Sequence, residues 1–291
     1  MYVNPCQKGG NLGVDILILC LTQETLRSAI DSLNLDQFLP MLSALDQDKY
    51  ISAIPHLDRD PMFCWIFRNM DFSQWRSAKS QVLWLSGLPE CNIHQVSSYI
   101  VDQEKDRVLK TDHFALYFFC SSATGGRPIF ANFVHTLLKQ IVCCSPMDKR
   151  ILVIRSFLHN LLEEAFKGNA APHWEEWEFR EQDTLYKEVK RILHAPTNEL
   201  FTAFKAVLHD EEQQSLSLVV DGLDKVEYQR DGFIREVREF VDHLQQRTSK
   251  VKILLTSRPL AKIKDLLGEL PCIEHDRERK GSPTSYFLTL D

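Results

Sequence analysis

At 291 residues the chain is long enough for one large domain or two ordinary ones, at about 150 residues each. Hydrophobic residues make up 44% and charged residues 25%, which excludes a disordered chain, a collagen-like chain and a small disulfide scaffold. The balance of 34 basic against 40 acidic residues, a net charge of −6, excludes the broad basic surface that a general nucleic-acid partner requires.

None of the 8 cysteines forms a C-x-x-C pair, and several lie inside apolar runs such as Phe118-Phe119-Cys120. That pattern predicts buried free thiols in a reducing compartment. The 10 histidines show no metal-binding spacing, so no structural zinc site is expected. The one membrane-like stretch, Leu12 to Leu21, is too short to span a bilayer and is broken by Asp15. No basic start with a small-residue cleavage site precedes it. The chain is therefore expected to be cytoplasmic, with no membrane partner.

In chain order, Gly9-Gly10-Asn11-Leu12-Gly13 is glycine-rich, but it precedes its apolar run and lacks a following lysine. It is expected to be a flexible terminus. Helical periods follow: Leu26, Ile30 and Leu33 after Thr22 as N-cap, then Leu35, Phe38, Leu39, Leu42 and Leu45. A loop from Pro55 to Pro61 leads into an aromatic-rich segment that ends at Phe72 and Trp75. Residues 1–75 thus form a helical lead-in to a core over 76–291.

From residue 82 the pattern changes to short apolar runs. Val82 to Leu85 is the first, ended by Ser86-Gly87; Phe114 to Phe119 is the second; Leu216 to Val220 and Val251 to Thr256 are the third and fourth. Uninterrupted apolar strands are what a parallel sheet covered on both faces requires. Amphipathic stretches alternate with them, carried by Ile129, Phe133, Leu137 and Ile141, then Ile151, Ile154, Leu158, Leu161 and Leu162, then Phe233, Val237, Phe240, Val241 and Leu244. The alternation predicts an α/β fold with a doubly wound, mostly parallel sheet. Residues 168–183, with Gly168, Pro172, Trp174 and Trp177 among many acidic groups, read as a surface insertion or a partner-binding patch.

Ligands of such a sheet bind outside the carboxyl ends of its strands. Asp221 follows Val219-Val220 directly, with Gly222, Leu223 and Asp224 next. Two carboxylates at a strand tip suit Mg²⁺ held through water, Asp221 being the metal candidate, and they suit an ordinary strand-ending turn equally well. Thr256-Ser257-Arg258-Pro259 ends the fourth strand with hydroxyls and an arginine. These residues either face a phosphate or cap a helix start. Asp224 and Arg258 are the candidates for a catalytic role.

The first strand should be followed by a phosphate loop, G-x-x-x-x-G-K-[ST]. Its glycines turn backbone N–H groups toward phosphate oxygens, its lysine neutralises them and its hydroxyl holds Mg²⁺. The chain has Gly87-Leu88-Pro89-Glu90-Cys91-Asn92-Ile93-His94-Gln95, with only the first glycine in place.

Taken with these residues, Trp84-Leu85-Ser86-Gly87-Leu88-Pro89 resembles the W-I-S-G-K-P start of the loop in fungal NACHT-type STAND P-loop NTPases, the nephrocystin-like N-terminal module of NOD-like receptor proteins. The resemblance extends to Cys64-Trp65-Ile66 and Phe72-Ser73-Gln74-Trp75 upstream, to Phe118-Phe119, to Asp221-Gly222-Leu223-Asp224 as Walker B, and to Lys252 through Pro259 as the sensor strand. It covers roughly residues 35 to 291 and implies a P-loop NTPase fold. Aligned on it, Glu90 and Asn92 stand at the loop glycines, Ile93 at the phosphate lysine, and His94 and Gln95 at the Ser-Thr pair. Lys225 stands where the family has an acidic residue.

One unit-charge contact at ~4 Å is worth about 4 kcal/mol at an effective dielectric of ~20, so the missing lysine alone moves a micromolar site to near millimolar. The expectation is a degenerate module without competent ATP hydrolysis, with no cofactor beyond weak Mg-ATP binding. Intact relatives are signalling switches with an effector domain in front and repeats behind. This chain ends at Asp291, shortly after the sensor strand, and is expected to be a truncated regulatory or scaffolding partner of proteins, full-length NACHT proteins among them. The rival readings are an atypical active NTPase that uses Asp221, Asp224 and Arg258, a pure interaction module, and a non-functional fragment of a larger receptor.

Overall fold

A computed structural model describes residues 27–28, 30–42, 44–54, 64–78, 81–88, 91–108, 113–121, 129–167, 187, 189–194, 197–210, 215–227, 230–247 and 250–275. The expectations for Gly9–Gly13, the Leu12–Leu21 run, the Pro55–Pro61 loop and the 168–183 segment with Trp174 and Trp177 lie outside these residues. In chain order the first elements are α1 (Leu35–Phe38), a 3-10 turn (Leu39–Met41), α2 (Gln47–Ser52), α3 (Cys64–Arg68), α4 (Met70–Ser77), β1 (Gln81–Gly87), α5 (Ile93–Val108) and β2 (His113–Phe119). There follow α6 (Ile129–Cys144), α7 (Met147–Lys167), α8 (Thr197–Asp210), β3 (Ser215–Asp221), a 3-10 turn (Leu223–Lys225), α9 (Arg230–Arg247), β4 (Val251–Ser257), α10 (Ala261–Leu267) and β5 (Cys272–His275). No helix among the described residues is long and apolar enough to cross a membrane.

The chain divides into two compact units, one of Met1–Met41 with Met147–Val207 and one of Leu42–Pro146 with Leu208–Asp291. The first is helical. α1 opens with a capping box, in which Gln37 N–H donates to Asn34 Oδ1 at 2.9 Å and Asn34 N–H to Gln37 Oε1 at 3.4 Å. α7 buries Ile154, Phe157, Leu158, Leu161 and Leu162, the spacing of one helical face. Its outer side carries Glu163, paired with Arg27 at 3.0 Å, and His159, against Asp31 at 3.1 Å.

The second unit holds a five-stranded, all-parallel sheet in the order β2-β3-β4-β1-β5. Helices cover both faces, which is why the strands carry apolar residues at nearly every position: β2 and β4 are buried along their whole length. On one face Leu83, Leu85, Tyr117, Phe119, Val219 and Leu254 pack with Ile93, Val96 and Ile100 of α5 and with Phe72 and Trp75 of α4. On the other, Phe118 meets Phe133 of α6 edge-on at 5.3 Å, and Phe133 meets Phe233 and Phe240 of α9 at 5.8 and 6.0 Å. This is the doubly wound fold of P-loop type expected above. β1, β3 and β4 run one or two residues past their apolar runs, and the aromatic-rich lead-in forms α3 and α4. The fifth strand was not expected.

β2 is an edge strand, and side-chain amides take up its outward backbone groups. Gln140 Oε1 accepts from Tyr117 N–H and its Nε2 donates to Tyr117 O, both at 2.9 Å, while Gln47 Oε1 accepts from Phe119 N–H at 2.7 Å. Covered in this way, the edge cannot template pairing with another chain. Gln140→Ala leaves a half-buried donor and acceptor unmet and should cost about 1–3 kcal/mol in urea unfolding. An unchanged midpoint would show that the edge is satisfied by other means.

The cysteine expectation needs a correction. Cys91, Cys120, Cys143, Cys144 and Cys272 form no disulfide, and Cys91 and Cys120 are buried, but Cys143 and Cys144 are exposed. In that last turn of α6 the inward positions go to Ile141 and Val142, both fully buried, which leaves the two thiols on the solvent side.

Candidate functional site

The chain leaves β1 through α5, crosses β4 and β3 to reach the edge strand β2, and later passes from β4 over β1 to β5. Connections therefore run in opposite directions on the two sides of β1, and the carboxyl ends of the strands there open a crevice. A cleft of about 330 Å³ lies at this point, between the tips of β1, β3 and β4 and the first turn of α5.

Asp221, the last residue of β3, is the buried centre of the site, with 0% exposure. Its Oδ1 accepts from Ser97 Oγ at 2.6 Å and from Thr256 Oγ1 at 2.7 Å, and its Oδ2 accepts from His94 Nδ1. The Thr256 hydroxyl accepts in turn from Gly222 N–H at 3.0 Å. Burial pushes the Asp221 carboxyl up, but the His94 bond and charge, with the Ser97 and Thr256 hydroxyls, outweigh it and hold the group below the ordinary aspartate value. Beneath the site, Cys120 N–H donates to Asp221 O at 2.8 Å. Burial and the charges of Asp221 and Asp224 push the Cys120 thiol well up, so it stays protonated.

Gly222 follows in the left-handed region, φ +73°, and a Cβ there would lie 3.2 Å from His94 Cε1 and 3.2 Å from Lys225 Cδ. The left-handed turn demands glycine, and a side chain there would also press on its two neighbours. Asp224, in the 3-10 turn, accepts from Arg258 N–H at 2.9 Å and from Arg258 Nε at 2.6 Å. Ser257 Oγ accepts from Trp84 Nε1 and donates to Arg258 O, both at 3.0 Å. The hydroxyls of Thr256 and Ser257 thus bind the strand tips. They do not cap a helix: the N-cap of α10 is Leu260, which makes no side-chain cap bond.

Gly87 ends β1, and the cleft wall continues through Leu88. Glu90 lies outside the described residues. Asn92 has φ +52°, so the left-handed backbone that a loop glycine adopts is kept by the residue type that tolerates it best after glycine. Ile93, at the lysine's alignment position, is 8% exposed and joins the apolar cluster under α5. His94, one residue on, turns its ring into the cleft and onto Asp221, its side chain 37% exposed.

The structure thus brings Gly87, Ile93, His94, Asp224 and Arg258 to one cleft, with Asp221 buried behind His94. Sequence reasoning missed two participants. Ser97 lies three residues after His94, on the same side of a helix, and that spacing was a usable signal. Tyr50, whose Oη is 3.2 Å from Lys225 Nζ, comes from the lead-in and left no signal at all. Of the two carboxylates suited to Mg²⁺, Asp221 has both oxygens engaged inside the protein and Asp224 has both on Arg258. No group of three or more metal-binding side chains gathers among the described residues.

No curated protein and no solved structure matches the chain. A family model described as Nephrocystin 3, N-terminal, matches residues 62–178 and again 148–258. Together these segments take in every residue that lines the cleft. With more than half of its 291 residues inside that model, the chain belongs to the nephrocystin 3 N-terminal family.

Proposed function

We propose that this chain is a pseudo-NTPase of the NACHT type found in fungal NOD-like receptor proteins. It keeps the STAND P-loop frame, does not hydrolyse Mg-ATP, and works as a regulatory or scaffolding partner of other proteins, full-length NACHT proteins among them. The observation that carries this reading is the His94–Asp221 pair. A working loop presents a hydroxyl and, through it, Mg²⁺ to this carboxylate; here an imidazole fills that corner, and the neighbouring lysine position holds the buried Ile93. Metal and phosphate charge thus lose their anchor together. What remains is a frame in which tie points such as Asp224–Arg258 join the strand tips. Cysteines with no C-x-x-C spacing, several of them inside apolar runs, favour a reducing, cytoplasmic setting.

Calorimetry with Mg-ATP and a phosphate-release assay test the reading on the full chain. Binding no tighter than about 1 mM is expected, with phosphate release at background and no difference between wild type and Asp221→Asn. Micromolar binding of Mg-ATP, or turnover that vanishes in Asp221→Asn, would overturn it and establish the active switch instead.

A further inference from the structure

Both carboxylates at the cleft are engaged by protein groups, and two cations stand beside them. Asp221 is matched by His94 and two hydroxyls, and Asp224 by the backbone and Nε of Arg258. Lys225 has no carboxylate partner among the described residues. Its ammonium donates to the phenol oxygen of Tyr50 at 3.2 Å and lies 5.9 Å from the centre of that ring. The lysine stem passes over Gly222, where a Cβ would lie 3.2 Å from Lys225 Cδ. Arg258 lines the cleft, its side chain is 49% exposed, and its side-chain bond to Asp224 is made through Nε. The N-terminus of the 16-residue helix α5 opens on the same space and adds a favourable dipole for an anion.

We propose that the cleft binds a phosphoryl anion without a divalent metal, Lys225 supplying from the β3 side the charge that Ile93 removes from the α5 side, and Arg258 supplying the second set of donors. An ammonium on a flexible stem and a half-exposed guanidinium are the two side chains best suited to phosphoryl oxygens. The metal is excluded because His94 occupies Asp221, and in that respect the proposal rests on the pseudo-NTPase reading. Tyr50 holds Lys225 in place when the cleft is empty and releases it to a stronger, charged acceptor.

Calorimetric titration of the full chain with inorganic pyrophosphate, in EDTA and again with excess MgCl₂, tests this. In EDTA the expected dissociation constant is below about 1 mM, and Mg²⁺ weakens binding because it neutralises the ligand. Lys225→Met should weaken binding at least about tenfold, the loss of one charge-assisted contact, while Lys225→Arg keeps most of it. An unchanged melting temperature in both variants shows that the fold is intact. A parallel titration with ADP in EDTA separates the sources of the anion: tighter binding than pyrophosphate assigns it to a nucleotide tail, equal or weaker binding to a free polyphosphate. No binding in either condition, or binding that Lys225→Met leaves unchanged, overturns the proposal and leaves the pseudo-NTPase reading standing. Binding that appears only with Mg²⁺ overturns both.

Discussion

Asp221→Ala should lower the unfolding free energy by about 3–5 kcal/mol, enough to remove much of the stability of an ordinary domain. The carboxylate has 0% exposure and collects donors from two elements: His94 and Ser97 from α5 and Thr256 from β4. Its removal strands two buried hydroxyls and leaves a void at the tip of β3. Asp221→Asn keeps the size and one acceptor oxygen, and should cost only about 1–2 kcal/mol. Acid unfolding gives an independent check. In the fold the carboxyl titrates below the ordinary aspartate value near 3.8, so its contribution is fully present above that value and drains away as pH falls through the lower, folded one. In Asp221→Ala that part of the acid limb should flatten. An unfolding free energy from urea titration within about 1 kcal/mol of wild type would mean that Asp221 does not organise the site.

Much of this frame could be read from the chain, for identifiable reasons. Val82–Leu85, Phe114–Phe119, Leu216–Val220 and Val251–Thr256 are apolar at nearly every position because helices cover both faces of the sheet, and a pattern so dense admits few other folds. The strand Cys272–His275 escaped notice because it is four residues long at the other edge, too short for a periodic signal. Thr197–Asp210 likewise went unnamed, although its Leu200, Ala203, Phe204 and Val207 fall on one buried face.

The site divides along the same line. Asp221, Asp224 and Arg258 sit at strand tips, where the fold itself dictates a ligand crevice, so their neighbourhood followed from the strand assignment. The partner of His94 did not follow, because it depends on which tip lies beside the first turn of α5. That is fixed by the order β2-β3-β4-β1-β5, which local patterns do not encode. A histidine at the start of α5 therefore gives no sign of its partner until the sheet brings Asp221 beneath it. The same limit hid the role of Lys225. As a departure from an acidic position it signalled loss, whereas its reach over Gly222 toward Tyr50 turns the departure into a relocated charge.

Reinstating the loop should raise affinity for Mg-ATP from about millimolar to about micromolar, the roughly 4 kcal/mol that a phosphate lysine supplies. The variant combines Glu90→Gly, Asn92→Gly, Ile93→Lys and His94→Ser. Asn92 already holds the left-handed backbone at φ +52°, so glycine there relieves strain and removes a side chain from the phosphate path without redirecting the chain. Ile93→Lys places the charge and gives up a side chain that is 8% exposed in the apolar cluster, at about 1–2 kcal/mol of stability. His94→Ser is the decisive change, since it withdraws the imidazole from Asp221 and leaves a hydroxyl in reach of a metal. The triple variant that keeps His94 separates the two contributions: Ile93→Lys gives it attraction for phosphate, but Mg²⁺ should not strengthen its binding because Asp221 remains engaged. Calorimetry with and without Mg²⁺ on the two variants reads this directly. A folded quadruple variant that still fails to bind Mg-ATP would show that the turn after β1 is not a phosphate loop by descent, whatever the sheet around it.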